Sequence, residues 1–296
     1  MTGRPGRRAR GVHRIADRGF SRAAGAYERG RPDYPASAAR FVARAFHIGP
    51  GSTVIDLAAG TGKWTRGLVG TGARILAVEP LPAMRREFRR AVPGVRVVAG
   101  TAERTGLPDG CADLVTVAQA FHWFDHERAL IEIRRILRPG GGLAILWNVR
   151  EHRKGWRREI LKVSQRYENR SVPRRGWDKW RRAFRPGSGF TPLRLRTFHH
   201  EQWLTRRLLE DRFLSLSYIA ALPGERKAEF LDRFRQVLET HPGARGRRKL
   251  MTPYTTEVYY ALRQEPRPGG EAGARGRSRR PPSPRSGPRR GHTLEV

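Results

Sequence analysis

Residues 52–65 read STVIDLAAGTGKWT, and this stretch decides the fold because it predicts a strand, a glycine turn and a helix in immediate succession. Residues 53–57 form a short β-branched and apolar run, of the kind that occupies the middle of a parallel sheet. Gly60 and Gly62 predict the tight turn, and the helix begins near Lys63. Free backbone N–H groups at the start of that helix favour a ligand with negative or polar groups.

A second predicted strand, residues 73–78, follows at a suitable distance and ends at Glu79. A carboxylate at the tip of the strand after a glycine loop can accept hydrogen bonds from both hydroxyls of a ribose. The two strands together therefore predict a site for a cofactor that contains a nucleoside. Nicotinamide dinucleotides and S-adenosylmethionine both use this geometry, and the strands alone leave the two open.

The glycine spacing favours S-adenosylmethionine. Dinucleotide sites usually read G-x-G-x-x-G, whereas Asp56, Ala58, Gly60 and Gly62 take the defined positions of a D-x-G-x-G-x-G pattern. In this respect the chain resembles the class I S-adenosylmethionine-dependent methyltransferases, with Ala58 in place of the first glycine. The resemblance implies that Asp56 orders the loop and the amino end of the cofactor, and that Gly60 and Gly62 admit its methionine part.

Further segments resemble the same family in the order that the family has them. They are EPLPAM at 79–84, GTAERTGLP at 100–108, QAFHWF at 119–124 and LRPGG at 137–141. The resemblance implies that Glu79 holds the ribose and that Met84 packs on adenine. It also implies that Thr101 and Ala102 meet the adenine edge and that Gln119, at the end of the fourth strand, joins the cofactor site. Thr101 stands where the family usually has an acid.

The N-terminal part resembles the small-molecule branch of this family, which includes trans-aconitate-type methyltransferases. The carriers of this resemblance are RPDYP at 31–35 and HWFD at 122–125. In that branch the segment with RPDYP folds over the methionine end of the cofactor, which makes Tyr27, Arg31 and Tyr34 candidates to line the pocket. The alternative is that the segment is an N-terminal helix packed on the sheet edge.

His122 and Trp123 follow the fourth strand, on the side where an acceptor meets the methyl group. His122 is a candidate general base or a ligand for an acceptor oxygen. A structural histidine that bonds the loop backbone is the alternative, and it is the one we favour. Trp123 is expected to form a pocket wall, and no metal site is expected.

Alternating strands and helices predict an α/β fold. We expect a Rossmann-like, seven-stranded and mostly parallel sheet with helices on both faces and a C-terminal antiparallel hairpin. The predicted organisation comprises a disordered basic arm at 1–18, a methyltransferase domain at 19–263 and a disordered Arg/Pro/Gly tail at 264–296. Within the domain the predicted parts are an N-terminal cap at 19–50, a cofactor-binding core at 51–150 and a helical insertion or lid with the last strands at 151–263.

The formal net charge of +33 admits a nucleic-acid partner, since a basic surface gains affinity through counterion release. The charge is almost all Arg, and Ala, Gly and Pro are abundant, which is the residue set that GC-rich codons encode. We therefore favour a compositional origin. Trp156, Trp177 and Trp180 lie among arginines and could stack on bases, but a lid over the substrate is the favoured interpretation.

We therefore expect an S-adenosylmethionine-dependent methyltransferase that acts on a small-molecule acceptor, at oxygen or nitrogen. A protein that binds or modifies nucleic acid is the first alternative, and an NAD-dependent oxidoreductase is the second. The sequence contains no Tyr-x-x-x-Lys pair, which would favour the second alternative. A single cysteine, no signal peptide and no apolar run of about twenty residues predict a cytoplasmic protein without membrane contact, as a monomer or homodimer.

Overall fold

The computed structural model describes residues 28–152, 154–168 and 180–265. Tyr27, Trp177, the predicted N-terminal arm and the predicted tail beyond Glu265 lie outside the described residues.

A seven-stranded sheet forms the centre of the described part of the chain. Its strands are β1 Thr53–Leu57, β2 Arg74–Val78, β3 Arg96–Val98, β4 Ala112–Ala118, β5 Leu137–Arg150, β6 Arg194–Thr205 and β7 Lys249–Leu262. The order across the sheet is β3-β2-β1-β4-β5-β7-β6. Strands β1 to β5 pair in parallel, whereas β7 runs antiparallel to both β5 and β6. The predicted mostly parallel sheet with an antiparallel end is therefore confirmed.

Helices connect the strands. They are α1 Ala36–Ala45, α2 Lys63–Val69, α3 Pro82–Ala91, α4 His126–Ile136, α5 Trp156–Gln165, α6 Arg206–Leu214, α7 Ser217–Ala220 and α8 Gly224–Thr240. Residues 28–30 are also helical, and short 3-10 turns occur at Phe121–Trp123 and Arg181–Phe184.

The apolar stripe of Leu208, Leu209, Phe213 and Leu216 predicts one helix over 204–218, and this extent is wrong. Residues 204–218 are not a single helix, because Leu204 and Thr205 extend β6, and the Thr205 side chain caps α6 by accepting from the Leu208 backbone N–H at 3.3 Å. At the other end Ser215 separates α6 from α7, and its hydroxyl donates to the Arg212 carbonyl oxygen at 2.7 Å. Both breaks use a hydroxyl that competes for backbone hydrogen bonds.

The central strands are apolar on both faces because helices cover both. Val54 and Leu114 face one side, where Ala38 of α1 and Trp64 of α2 pack. The neighbouring positions on the strands face the other side and pack against Ile133 of α4. Fully covered strands explain why β1 and β4 read as nearly continuous apolar runs.

The two described tryptophans of the predicted insertion are core residues. Trp180 is 1% exposed and packs in the same cluster as Trp147 of β5. Trp156 is 6% exposed and packs with Ile160 and Phe234 in a second cluster built from α5, α6 and α8. Neither ring offers an open face for stacking on a base, so the nucleic-acid interpretation receives no support from these two residues.

The strand order places a crevice beside β1 and β4. The chain passes from β1 to β2 on one side and from β4 to β5 on the other. In open α/β sheets such a switch point leaves a gap at the carboxyl ends of the strands, where ligands bind. The loops after β1 and β4 meet there, which brings the first glycine loop close to Gln119.

Candidate active site

The floor of the site is the loop Ala58–Gly62, which holds a left-handed backbone at three positions. The φ angles are +52° at Ala58, +59° at Gly60 and +85° at Gly62. A Cβ added to Gly60 would have no atom within 4 Å, whereas one added to Gly62 would lie 2.4 Å from the Val92 side chain. Gly60 therefore keeps the floor open for a ligand, and Gly62 allows α2 to pack closely on the end of α3.

Asp56 lies beneath this loop and fixes it from below. Its two carboxylate oxygens accept hydrogen bonds from the hydroxyls of Thr65, at 2.5 Å, and Thr116, at 2.9 Å. Burial raises the pKa of Asp56 to about 6, while these two hydrogen bonds act in the opposite direction. The carboxylate thereby joins α2 to β4, and it is not part of the cavity wall described below.

Glu79 presents a buried carboxylate at the tip of β2, as the sequence predicts. It is 3% exposed and accepts backbone hydrogen bonds from Gly60 at 2.9 Å and from Leu81 at 2.8 Å. Burial raises its pKa to about 7, although both backbone N–H groups favour the ionised form. The carboxylate is thus held directly against the glycine loop, and its contact with a ribose stays a prediction.

A cavity of about 430 Å³, including the part open to solvent, lies above the loop. Gln119 and Asn148, at the ends of β4 and β5, form one wall. Arg31, Tyr34 and Arg212 cover it from segments far apart in the chain. The cavity therefore lies between a floor of backbone and a roof of side chains.

The roof is held together by contacts between residues 28–34, which we call the strap, and the end of α6. Arg29 donates to both carboxylate oxygens of Asp211, at 2.8 and 3.2 Å. Arg31 donates to the Ser215 hydroxyl and to its carbonyl oxygen, both at 3.0 Å. Between them, Gly30 approaches the α6 backbone so closely that a Cβ would lie 2.3 Å from the Arg212 nitrogen.

The strap is also attached to the helix that follows the glycine loop. Arg66 of α2 donates to Glu28 and to Asp33, each at 2.7 Å. Lys63, at the start of the same helix, contacts Asp33 at 3.2 Å. The strap therefore bridges α2 and α6 across the cavity.

The wall at the ends of β4 and β5 is built from two amides. Gln119 has a left-handed backbone, with φ at +61°, and its side chain donates to the Asn148 carbonyl oxygen at 3.2 Å. The Asn148 side chain donates to the Asp33 carbonyl oxygen at 3.3 Å and accepts from the Thr256 hydroxyl. A non-glycine residue in this conformation stores backbone strain of the kind that clusters at functional sites.

The predicted acceptor-side residues divide into two groups. Arg31 and Tyr34 line the cavity, and the Tyr34 ring meets the Trp64 ring edge-on at 5.2 Å between centroids. His122 and Trp123 lie in the 3-10 turn after β4, and the His122 ring packs 5.1 Å from the Trp147 ring. These two residues do not line the described cavity, and a catalytic role for His122 stays a prediction.

The residues predicted to contact adenine lie apart from this cavity. Met84 is buried on α3, and Ala102 is buried after β3. Thr101 closes a tight turn, in which it exchanges backbone hydrogen bonds of 3.1 and 3.2 Å with Arg104. None of these three residues lines the described cavity, so their contact with adenine stays a prediction.

Among the lining residues that the sequence analysis did not single out are Asn148 and Arg212. Arg212 is 4% exposed and lies on α6, and its Nε donates to the Tyr254 hydroxyl at 3.3 Å. A signal for it existed, because Arg212 follows Leu208 and Leu209 by four and three positions and so falls on the apolar stripe of the helix.

Comparisons with known proteins agree with this geometry. The family model described as a methyltransferase domain matches residues 55–145. An uncharacterized methyltransferase of Mycobacterium tuberculosis (strain H37Rv) is 40% identical over 237 residues, which are 80% of this chain and 92% of that protein. The chain belongs to this methyltransferase family. An uncharacterized methyltransferase-like protein of Schizosaccharomyces pombe is 34% identical to our methyltransferase, over 79% of this chain and 91% of that one.

A solved structure supports the fold of the methyltransferase. It comes from Anaeromyxobacter dehalogenans and is provisionally named a type II methyltransferase. It is 23% identical and has a TM-score of 0.54 over 78% of this chain and 97% of that chain. At this identity the likeness concerns the fold alone.

The methyltransferase has S-adenosylmethionine as its cofactor, as the family assignment shows. The NAD-dependent alternative is therefore set aside. The residues of the site fit this cofactor, because Gly60 leaves open space and two buried polar atoms of the cavity wall, Thr61 Oγ1 and Arg212 Nη1, have no hydrogen-bond partner among the described residues. Within the described ranges, the methyltransferase has no helix that is long and apolar enough to cross a membrane.

Proposed function

We propose that this methyltransferase transfers the methyl group of S-adenosylmethionine to a small-molecule acceptor, at an oxygen or a nitrogen atom. The observation that carries the proposal is the roof. The strap and α6 cover the cavity above the glycine loop with side chains that are bonded to each other. A cavity with this cover favours a small acceptor, whereas a nucleic-acid strand requires an open, basic groove with accessible aromatic rings.

The cofactor supplies an electrophilic methyl group on a sulfonium, and its leaving group is a neutral thioether. The task of the protein is consequently to hold the acceptor in line and to exclude water. Glu79 and the loop at Gly60 form the fixed side of the site. The amides of Gln119 and Asn148 provide hydrogen-bonding groups on the opposite wall.

The need for a base depends on the acceptor. A carboxylate is already ionised at neutral pH and attacks without losing a proton, whereas an alcohol or an ammonium group has to be deprotonated. His122 is the candidate for that base in the sequence, but it lies outside the described cavity and its ring packs 5.0 Å from that of Trp123. We therefore propose that it supports the turn after β4 and does not take the proton.

The experiment is a transfer assay with S-adenosylmethionine that carries a radiolabelled methyl group. The purified full-length protein, stripped of nucleic acid, is incubated with a small-metabolite fraction and, separately, with RNA, DNA and protein fractions. We expect label in the metabolite fraction with the wild type and none with Glu79→Ala. Label in RNA or DNA alone would contradict the proposal and favour a nucleic-acid-modifying enzyme.

A further inference from the structure

Arg212 is a buried cation to which the described residues supply no counterion. The residue is 4% exposed, and its Nη1 atom is buried without a hydrogen-bond partner among the described residues. Within the described ranges, the one side-chain hydrogen bond of the guanidinium runs from Nε to the Tyr254 hydroxyl, which is a neutral group. An arginine keeps its charge at every physiological pH, so the cost of burying it stays uncompensated in the protein alone.

The described residues around Arg212 do not balance its positive charge. The neighbouring carboxylate, Asp211, is bonded to Arg29 of the strap. Among the residues that line the described cavity there are three cations, Arg31, Lys63 and Arg212, and no carboxylate. Of the three, Lys63 contacts the carboxylates of the strap, and Arg31 is bonded to Ser215.

A second arginine, Arg150, lies near Arg212. The Arg150 guanidinium lies 4.6 Å from the centre of the Phe213 ring, and no ion pair of Arg150 occurs in the parts of the chain that the structure describes. Burial first and repulsion from Arg212 second lower the pKa of Arg150 to about 10. The two guanidinium groups therefore add to one positive potential at the roof of the cavity.

We propose that Arg212 binds a carboxylate in this cavity through its partnerless Nη1 atom, with Arg150 strengthening the positive potential. A guanidinium suits this role because its planar fork matches the geometry of a carboxylate. The inference rests on the proposed function, since it concerns the same cavity. Two carboxylates share this chemistry: the one at the methionine end of the cofactor and one carried by an acidic acceptor.

The experiment compares two nucleosides on the full-length protein by isothermal titration. S-adenosylhomocysteine carries the carboxylate, and 5′-methylthioadenosine lacks the whole amino-acid end. The variants are Arg212→Gln and Arg212→Lys, and the control is Arg207→Gln, an exposed arginine on the same helix. If the cofactor is the source of the carboxylate, Arg212→Gln weakens the binding of S-adenosylhomocysteine at least about tenfold and leaves the affinity for 5′-methylthioadenosine unchanged. We expect the affinity of Arg212→Lys for S-adenosylhomocysteine to lie between those of the wild type and Arg212→Gln.

A second arm tests the acceptor as the source. The protein saturated with S-adenosylhomocysteine is titrated with glutarate and benzoate, and with the matching neutral amides glutaramide and benzamide. Binding of an acid but not of its amide, lost in Arg212→Gln, assigns Arg212 to an acidic acceptor. Unchanged 5′-methylthioadenosine binding in the same variant shows that the cofactor site is still folded.

The failures of the two proposals are distinguishable. If the wild type binds both nucleosides and Arg212→Gln changes neither S-adenosylhomocysteine affinity nor acid binding, the carboxylate site is refuted and the methyl transfer stands. If the wild type binds neither nucleoside, the proposed function is refuted, and so is the inference that rests on it.

Discussion

The floor and the roof of the cavity are built in opposite ways. The floor is a single loop with left-handed residues at Ala58, Gly60 and Gly62, and the residues that support it, Asp56 and Glu79, lie close to it in the sequence. The roof joins the strap to α6 through side chains, and Arg29 and Asp211, which form one of its bonds, are 182 positions apart. A local sequence motif can specify the first kind of structure, whereas only the complete fold can assemble the second.

The largest expected effect concerns the floor. Glu79→Ala removes the carboxylate that we assign to the ribose, and hydrogen bonds to a charged group contribute about 1.5–3 kcal/mol each. We expect S-adenosylhomocysteine to bind about 100-fold more weakly, measured by isothermal titration. Glu87→Ala, which alters a carboxylate paired with Arg90 on α3, is the matched control and should bind normally. Normal binding by Glu79→Ala would remove Glu79 from the cofactor site.

The second effect is a pH dependence of the free energy of unfolding, which arises from Glu79 beside the floor loop. The pKa of Glu79 is about 7 in the folded protein against an ordinary value of 4.5. The folded state therefore holds this proton more tightly than the unfolded state, and the free energy of unfolding falls as pH rises from about 4.5 to about 7. The contribution of Glu79 over that interval is on the order of 3 kcal/mol.

Urea unfolding at several pH values measures this dependence. Glu79→Gln cannot ionise, so we expect a shallower decline in stability between about pH 5 and pH 7. Some decline should persist, since burial also raises the pKa of Asp56, to about 6. An identical decline in the wild type and in Glu79→Gln would show that Glu79 does not titrate in this range.

The third effect tests the roof. In Gly30→Ala the new methyl group meets the backbone of Asp211 and Arg212, which cannot move aside as a flexible side chain can. We expect a loss of about 1–3 kcal/mol in stability and weaker binding of S-adenosylhomocysteine. Gly70→Ala is the matched control, because a Cβ there meets no atom within 4 Å and φ is −68°. Thermal unfolding of both variants distinguishes crowding of the roof from a general effect of the substitution.

The smallest effect returns to the floor. Ala58 holds a φ of +52°, which costs a non-glycine residue roughly 1–2 kcal/mol. We expect Ala58→Gly to stabilise the protein by up to about 1 kcal/mol, after the added freedom of the unfolded chain is subtracted. Ala59→Gly, at a neighbour without positive φ, should instead destabilise it. If both variants changed the free energy of unfolding in the same direction, the strain at Ala58 would be relieved elsewhere. Urea unfolding measures both changes.

The same contrast explains what the sequence could predict. The strand of residues 53–57 and the helix that begins at Lys63 have the predicted bounds, because their apolar pattern reflects burial inside the sheet. The apolar run at 142–148 predicts a strand of that extent. The observed β5 is longer, because Leu137 pairs with Ala112 of β4 and β7 pairs with β5 as far as Arg150. Long-range pairing of this kind leaves little trace in a local pattern.

Arg212 shows where prediction from sequence ends. The chain contains 60 Lys and Arg residues, so one more arginine carries almost no information by its type. Its position on the apolar stripe of α6 was informative, but its neighbours in space, Gly30 and Tyr254, could not be known. The glycine loop, in contrast, needed no distant residue to be identified.

The strap has a further consequence, which is kinetic. It is fastened to α2 through Arg66 and to α6 through Arg29, so lifting it breaks ionic contacts on both sides. Those contacts are partly exposed and weaken as dissolved salt screens them. We therefore expect the rate of S-adenosylhomocysteine release, and with it the rate of repeated turnover, to depend on how fast these ionic contacts break.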